Sequence, residues 1–200
     1  NVSVKWDGAP AIFCGINPEN GRFFVATKSL FNVTPKINYT NSDISKNHAG
    51  GLADRLQVCL RYLKKLNIRG IVQGDLLFVP GDIKSVSIRG EKAIAFKPNT
   101  ITYAIPENSV LAKRILRAKL GIIFHTSYSG RKMSDLKANF GVSISSFTKT
   151  TDVFFDDAGY KDVSGVATFT SSESNSYDAI LRMAIGSLKK GKRILNLLKR

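Results

Sequence analysis

The sequence predicts an α+β protein with a mostly antiparallel sheet, and three observations lead to this fold class. Apolar segments of strand length recur through residues 11–105. Turn signals such as Asn20-Gly21 and Arg89-Gly90 separate neighbouring segments, and connections this short join antiparallel strands. Helical periodicity is confined to a few stretches, which we expect to flank the sheet.

The elements follow in chain order from the apolar pattern. Strands are predicted at residues 11–16, 22–27, 70–78, 84–88, 92–97, 100–105 and 120–124. A helix ending near Asn67 is predicted from apolar residues at helical spacing: Leu52, Leu56, Cys59, Leu60 and Leu63. Asn108 or Ser109 caps a second helix through about Lys119, and a third begins near Ser172. Residues 32–50 are predicted to form a loop with a helical turn after Ser42, and residues 127–175 carry no motif.

Composition excludes two classes of protein. With 43% hydrophobic and 22% charged residues, the chain of 200 residues has the composition of a globular domain rather than a disordered segment. No apolar run approaches the roughly 18 residues of a membrane span, so we expect no membrane partner. Cys14 and Cys59 lack metal-ligand spacing, which favours buried thiols in a reducing compartment and a cytoplasmic protein.

Charge is the strongest compositional signal. The chain has 30 basic and 15 acidic residues, a formal net charge of +15. A field of this size attracts polyanions, so nucleic acid and nucleotide phosphates are the expected partners. The second predicted helix carries Lys113, Arg114 and Arg117, which are candidate nucleic-acid contacts. The alternative is a generally basic surface with no dedicated partner.

The most informative local feature is the tetrapeptide Lys5-Trp6-Asp7-Gly8, which precedes the first apolar run. A lysine attacks phosphorus when its amine is deprotonated and rigidly held, and lysines lose their proton readily beside other cations or on desolvation. Asp7 would orient the amine, and Gly8 would let backbone and nucleotide approach closely. The same four residues also arise by chance, since Asp-Gly is a common hairpin turn.

Two further features occur in the order that lysine-based nucleotidyl transfer requires. The predicted strand at residues 22–27 ends at Thr27-Lys28, which places a cation beside the turn that carries Lys5. Gly74-Asp75 interrupts an otherwise apolar strand, where a carboxylate must be satisfied or functional because burying it unpaired is costly. Each feature alone also fits a structural role, as a solvated strand-end lysine or a satisfied carboxylate.

These motifs resemble those of the covalent nucleotidyltransferases, the ATP-dependent DNA and RNA ligases and messenger RNA capping enzymes. Lys5-Trp6-Asp7-Gly8 is similar to their Lys-x-Asp-Gly motif, Thr27-Lys28 to their Ser/Thr-Arg motif, and Gly74-Asp75 to their Gly-Glu motif. Their aromatic strand, which precedes an acidic residue, is matched by the segment at Tyr103 or by the one at Phe124.

The resemblance extends from Lys5 to about Gly165 and is closest to ligase-like proteins of tailed phages, which implies the cytoplasm of a bacterial host. It implies an adenylation-type domain, with two antiparallel sheets flanked by helices and the nucleotide in the cleft between them. Lys5 would attack ATP to form lysyl-AMP, and the AMP would pass to a nucleic-acid 5′-phosphate for strand joining. The Mg²⁺ cofactor would be held largely by the nucleotide and waters, with Asp75 or Asp7 nearby and Asp75 as the candidate metal residue. The residues implied in nucleotide binding are Lys5, Trp6, Asp7, Gly8, Lys28 and Asp75.

The chain departs from the family in three places. Pro10 lies where DNA ligases usually carry arginine, and Leu120-Gly121 has leucine where a Glu-Gly motif has glutamate. Lys190-Gly191-Lys192 matches the closing Lys-x-Lys motif only in spacing, and we interpret it as solvated charge in a basic helix. Either the chain ends before the last two motifs or the protein is degenerate, and because the chain also begins at Asn1, we expect a domain truncated at both ends. Its predicted limits are residues 1–170, with a basic helical segment at 171–200.

Two other function classes fit the same composition. One is a catalytically inactive nucleic-acid-binding domain, and the other is a basic structural or assembly protein of a phage particle. Some of the selected residues also have plainer interpretations. Trp6, Tyr103 and Phe124 fit packing roles, and His48 and His125 are expected to be polar partners rather than ligands.

Overall fold

The computed structural model describes residues 4–159 and 169–198. The chain divides into two units, residues 1–160 and residues 161–200. The first contains a six-stranded and a three-stranded sheet with helices beside them, so the predicted α+β class with two antiparallel sheets is confirmed. One pairing among the described strands is parallel.

The larger sheet is built around two long strands, β3 (Ile71–Phe78) and β7 (Leu120–Ser129), which pair antiparallel. The strand order is β2-β1-β3-β7-β8, and β9 pairs parallel with the first half of β7 while β8 pairs with its second half. The remaining strands are β1 (Ala11–Ile16), β2 (Phe23–Ala26), β8 (Lys137–Phe140) and β9 (Val153–Asp157).

The smaller sheet has the order β4-β5-β6, with β4 (Lys84–Ile88), β5 (Glu91–Phe96) and β6 (Tyr103–Pro106). The predicted hairpin between β4 and β5 is confirmed, and positive φ angles at Arg89 and Gly90 make its turn. The strand predicted at residues 100–105 begins only at Tyr103. The reason is that a side chain, not a neighbouring strand, binds the backbone N–H groups of Thr100 and Ile101.

Four helices lie in the described residues. The turn predicted after Ser42 is a full helix, because Thr40 and Asp43 form a reciprocal capping box at its start. The next helix is followed by a short 3-10 turn that ends at Asn67, whose φ of 51° is left-handed. No described helix is long and apolar enough to cross a membrane. The helices are α1 (Asn41–Asn47), α2 (Gly50–Leu63), α3 (Val110–Arg117) and, in the second unit, α4 (Ser171–Leu198).

Successive side chains of β3 face opposite sides of the sheet, and this determines which of them can form a site. Val72 and Leu76 are buried in a core shared with α2, whereas Leu77 is buried with residues of the smaller sheet and α3. Since successive strand residues face opposite sides, Gln73 and Asp75 face away from α2. Polar side chains of this strand are thus collected on the sheet face opposite the α2 layer.

The two cysteines and the strands within residues 127–175 bear on the remaining predictions. Cys14 and Cys59 are free and buried, as predicted, and burial raises the pKa of Cys14 and takes that of Cys59 to about 12. These thiols therefore stay protonated near neutral pH. Strands β8 and β9 lie in residues 127–175, where no motif was placed, and all four residues of β8 are exposed.

Candidate active site

An open cavity in the first unit brings together most of the residues selected from the sequence. Its volume is ≈ 660 Å³, within the range of about 300–1,000 Å³ typical of small-molecule sites. Its lining includes the predicted nucleotide-binding residues Lys5, Trp6, Gly8, Lys28 and Asp75. The other lining residues were not selected as site residues, and four of them carry polar or aromatic side chains: Gln73, His125, Thr126 and Phe140.

The segment that carries Lys5 is held to the larger sheet by backbone hydrogen bonds on both sides of the lysine. The amide of Val4 donates to the carbonyl of Ala158 at 2.9 Å. The amide of Ala9 donates to the carbonyl of Leu76 at 2.9 Å, which extends the β1–β3 pairing to residues before the start of β1. The segment that carries Lys5 is therefore attached at one end to Ala158, just after β9, and at the other end to β3, the strand that carries Asp75.

Gly8 lies in close contact with that strand. A Cβ atom at this position would lie 2.5 Å from the Cβ of Asp75 and 3.0 Å from the carbonyl oxygen of Leu76. Distances this short exclude any side chain unless the backbone shifts. Gly8 thus allows close contact between two parts of the protein, and its predicted contact with a nucleotide stays a prediction for a residue that also lines the cavity.

Asp7 is the motif residue that does not line the cavity. Its carboxylate accepts hydrogen bonds from Asn99 Nδ2 at 3.1 Å, from the amide and hydroxyl of Thr100 at 2.6 and 2.7 Å, and from the amide of Ile101 at 2.6 Å. The amide of Ile101 and the hydroxyl of Thr100 contribute most to lowering the pKa of Asp7 to about 2. Asp7 therefore fixes the loop before β6 and the backbone next to Lys5, instead of contacting the amine as expected.

Lys28 supplies a second cation to the cavity. It begins the 3-10 turn Lys28–Phe31, which follows β2 directly. Phe31 anchors this turn to the sheet, with its ring edge-on to Phe13 at 5.2 Å and 5.8 Å from the ring of Tyr128. The sequence analysis predicted a cation beside the turn that carries Lys5, and Lys28 lines the same cavity as Lys5.

A β-bulge places two consecutive residues of β7 on the cavity. Gly74 pairs with Phe124 and Gln73 pairs with Thr126, so His125 is an extra residue in the β7 register. Neighbouring strand residues normally face opposite sides of a sheet, but His125 and Thr126 both line the cavity. Bulges that re-aim side chains in this way are common beside active sites.

His125 also provides the partner that Asp75 was predicted to need. Its Nε2 lies 3.5 Å from Asp75 Oδ1, and its Nδ1 lies 2.8 Å from the Thr126 hydroxyl oxygen. The first distance is an ion-pair contact only when the imidazole is protonated. His125 is therefore a polar partner, as expected, but one that belongs to the candidate site.

The aromatic residues divide into packed and exposed groups. Trp6 stacks on Tyr103 with 5.5 Å between ring centroids, and Tyr103 stacks in turn on Phe96 at 5.5 Å. Phe124 is fully buried. These contacts agree with the packing roles expected for Trp6, Tyr103 and Phe124. Phe140 differs, because it is 69% exposed at the cavity.

The candidate nucleic-acid contacts lie on α3, outside the cavity lining. The guanidinium of Arg114 lies 5.0 Å from the ring centre of Phe154 and donates to the carbonyl of Phe155 at 3.5 Å. All three residues, Lys113, Arg114 and Arg117, are exposed. Arg114 therefore contributes to holding α3 against β9 from an exposed position, and Lys113 and Arg117 also present their charge to solvent.

Comparison with known proteins gives a family but no activity. The entire chain, residues 1–200, matches a family of unknown function, DUF6267. The protein belongs to this family. No curated protein and no solved structure matches the chain. Because the function of DUF6267 is unknown, the geometry of the site carries the functional interpretation.

The sequence pattern indicates some of the polar and aromatic lining residues that were not selected, but not all of them: Gln73, His125, Thr126 and Phe140. Gln73 precedes Asp75 by two positions in a predicted strand, so strand alternation puts both on one face. His125 and Thr126 share the cavity only because of the bulge, which leaves no sign in the apolar pattern. Phe140 lies on a short exposed strand, where no alternation marks a buried face.

Asp7→Asn is expected to remove a pH-dependent part of the protein's stability. The pKa of Asp7 is lowered in the folded protein, so its ionised form stabilises the fold. This contribution is complete above a pH of about 5, about one unit above the unfolded pKa, and is lost as the pH falls through the folded pKa of about 2. The difference in urea midpoint between parent and variant should therefore shrink between about pH 5 and pH 2. A difference that stays constant over this range, or one equally shown by the exposed control Asp54→Asn, would contradict it.

Proposed function

We propose that the protein is a nucleotidyltransferase that forms lysyl-AMP from ATP at Lys5 and transfers the AMP to a nucleic-acid 5′-phosphate. The observation that carries the proposal is that Lys5, Lys28 and Asp75, from three separate segments, line one open cavity. Convergence of a nucleophile, a cation and a carboxylate from distant segments is what a catalytic site requires.

In the proposed first step, the Nζ of Lys5 attacks the α-phosphorus of ATP. The new N–P bond replaces the bond to the α,β-bridging oxygen, and pyrophosphate leaves with that electron pair while the nitrogen loses a proton. Lys28 would bind the negative phosphates from the same cavity. The hydrogen bonds of Val4 and Ala9 support this role, because they fix the backbone of the segment that carries the exposed Lys5, and a positioned nucleophile lowers the entropic barrier.

The residues of the cavity suit a Mg²⁺ ion held mainly by a nucleotide. In the parts of the chain that the structure describes, no group of three His, Cys, Asp or Glu residues could hold a metal ion alone. Mg²⁺ is commonly bound through one or two carboxylates together with substrate phosphates, and Asp75 supplies one carboxylate to this cavity. When bound, Mg²⁺ would neutralise charge on the phosphates.

In the proposed second half of the reaction, AMP passes from Lys5 to a 5′-phosphate and a 3′-hydroxyl then displaces it to join the strands. The net charge of +15 and the exposed Lys113 and Arg117 on α3 support a nucleic-acid acceptor.

The proposal is tested by incubating the full chain with Mg²⁺ and ATP labelled at the α-phosphate. We expect a protein-bound label that is stable to alkali and labile to acid, as a phosphoramidate is, and that peptide mapping locates at Lys5. Parallel reactions with labelled GTP identify the preferred base. Absence of label from both nucleotides contradicts the proposal. If the chain takes no label but binds nucleic acid in a salt-dependent way, the result favours a catalytically inactive binding domain. If it neither takes label nor binds nucleic acid, the result favours a structural or assembly protein.

Binding to nucleic acid is expected to depend on α3. Because each neutralised phosphate contributes roughly −0.7 to −0.9 to the slope of log affinity against log salt, removing Lys113 and Arg117 together should flatten this slope. Filter binding with a single-stranded oligonucleotide over a salt series measures it. Arg114→Ala tests the third residue, and should mainly lower stability because it loses the contact with Phe154. If the double variant keeps the parent slope, α3 is not the docking surface, and Lys189, Lys190 and Lys192 of α4 are tested next.

A further inference from the structure

Phe140 stands between two neighbouring cavities. It lines the ≈ 660 Å³ cavity at Lys5 and also a second cavity of ≈ 180 Å³, and the two share Phe140, His125 and Ala158. The residue is 69% exposed, although burial would remove the apolar area of its ring from water. An exposed phenyl ring at the junction of two cavities is a surface available to a ligand.

The linings of the two cavities differ in chemistry. The larger cavity has the charged residues Lys5, Lys28 and Asp75. The smaller one has two polar residues, Asp157 and the shared His125, and its other lining residues are apolar or glycine: Phe124, Phe140, Val142, Ala158, Gly141 and Gly159. A nucleotide has the same division, with a charged phosphate chain at one end and a flat, largely apolar base with polar edges at the other.

The other aromatic residues on these cavities are already engaged. Trp6 packs its ring on Tyr103, and Phe124 is fully buried with its ring 5.4 Å from that of Phe147. Of the three aromatics that line either cavity in the described structure, Phe140 is the one with most of its side chain exposed.

We propose that Phe140 is the stacking platform for the base of the bound nucleotide, with the base in the smaller cavity and the phosphates in the larger one. This inference rests on the proposed function, because it assigns the base of the nucleotide that Lys5 would attack. Every base has a flat π face, so stacking on Phe140 would favour nucleotides over inorganic polyphosphate without selecting strongly among bases.

The test is equilibrium binding to the full chain, measured by calorimetry with three probes: adenosine, α,β-methylene-ATP and inorganic tripolyphosphate. None of these probes can label Lys5, so binding is separated from chemistry. Phe140→Ala should weaken adenosine and the ATP analogue by about 5- to 150-fold, as loss of one stacking contact does, and leave tripolyphosphate unchanged. Phe140→Leu keeps an apolar side chain without a π face and should be nearly as weak. Phe140→Trp should restore affinity.

A matched control is Val110→Ala, which removes another exposed apolar side chain that lines neither cavity. Two results would overturn the inference: unchanged adenosine affinity in Phe140→Ala, or an equal loss for tripolyphosphate, which would indicate a structural role. Loss of adenosine affinity without any Lys5 labelling in the parent would support the base site and contradict the proposed chemistry. If the parent binds neither adenosine nor the ATP analogue, both proposals are wrong.

Discussion

Replacing Lys5 by arginine is expected to abolish the covalent label. A guanidinium remains protonated and has no free electron pair with which to attack phosphorus, whereas its positive charge still attracts the triphosphate. The variant should therefore bind ATP with affinity close to that of the parent and yet form no adduct. Gel autoradiography and intact mass of parent and variant, incubated with labelled ATP and Mg²⁺, measure the effect.

Lys64→Arg is the matched control, because Lys64 is exposed in a 3-10 turn and does not line the cavity. It should label as the parent does. If Lys5→Arg keeps the full label, another residue is the acceptor and the assignment of Lys5 is wrong. Loss of both ATP binding and label would indicate instead that the lysine mainly binds phosphate.

Gly8→Ala is expected to reduce labelling by at least about 100-fold. The new Cβ atom would lie 2.5 Å from that of Asp75, so the segment carrying Lys5 must move away from β3. A displacement of about 1 Å at a catalytic group can cost 100-fold in rate, and overpacking typically lowers the free energy of unfolding by about 1–3 kcal/mol. Single-turnover labelling and urea unfolding measure the two effects separately.

Gly51→Ala controls for the chemical change. Gly51 lies in α2, where an added Cβ atom would meet no other atom within 4 Å, and alanine favours helices over glycine. This variant should label normally and be as stable as the parent or more so. Gly8→Ala with parent-like labelling would mean that close contact between Gly8 and Asp75 is not needed for the site.

The fold class was readable from the sequence because hairpins are local. The turns at Asn20-Gly21 and Arg89-Gly90 determine antiparallel pairing over a few residues, and both hairpins are present. β9 was missed for the opposite reason, because it lies parallel to β7, which requires a long connection that carries no turn signal. β8 pairs antiparallel with β7 after a short connection, but it has only four residues, all of them exposed, so no apolar run marks it as a strand. Their stability comes from β7 rather than from their own propensity.

The residues of the candidate site were partly readable as well. The order of Lys5, Lys28 and Asp75 along the chain selected three residues that line one cavity. The sequence also assigned Asp7 to the lysine, but its carboxylate binds the loop at Asn99, Thr100 and Ile101. A spacing of two residues cannot show which way a side chain faces when the segment is not a regular strand.

By itself, the sequence determined the chemical groups available, the hairpins that make the sheets antiparallel and the lysine motif before β1. Only the tertiary structure decided which of these groups meet. The bulge at His125, the close approach of Gly8 to Asp75 and the position of Phe140 between two cavities all depend on contacts between segments far apart in the chain. Local residue preferences do not encode such contacts, because backbone register and packing are settled only when the whole sheet forms.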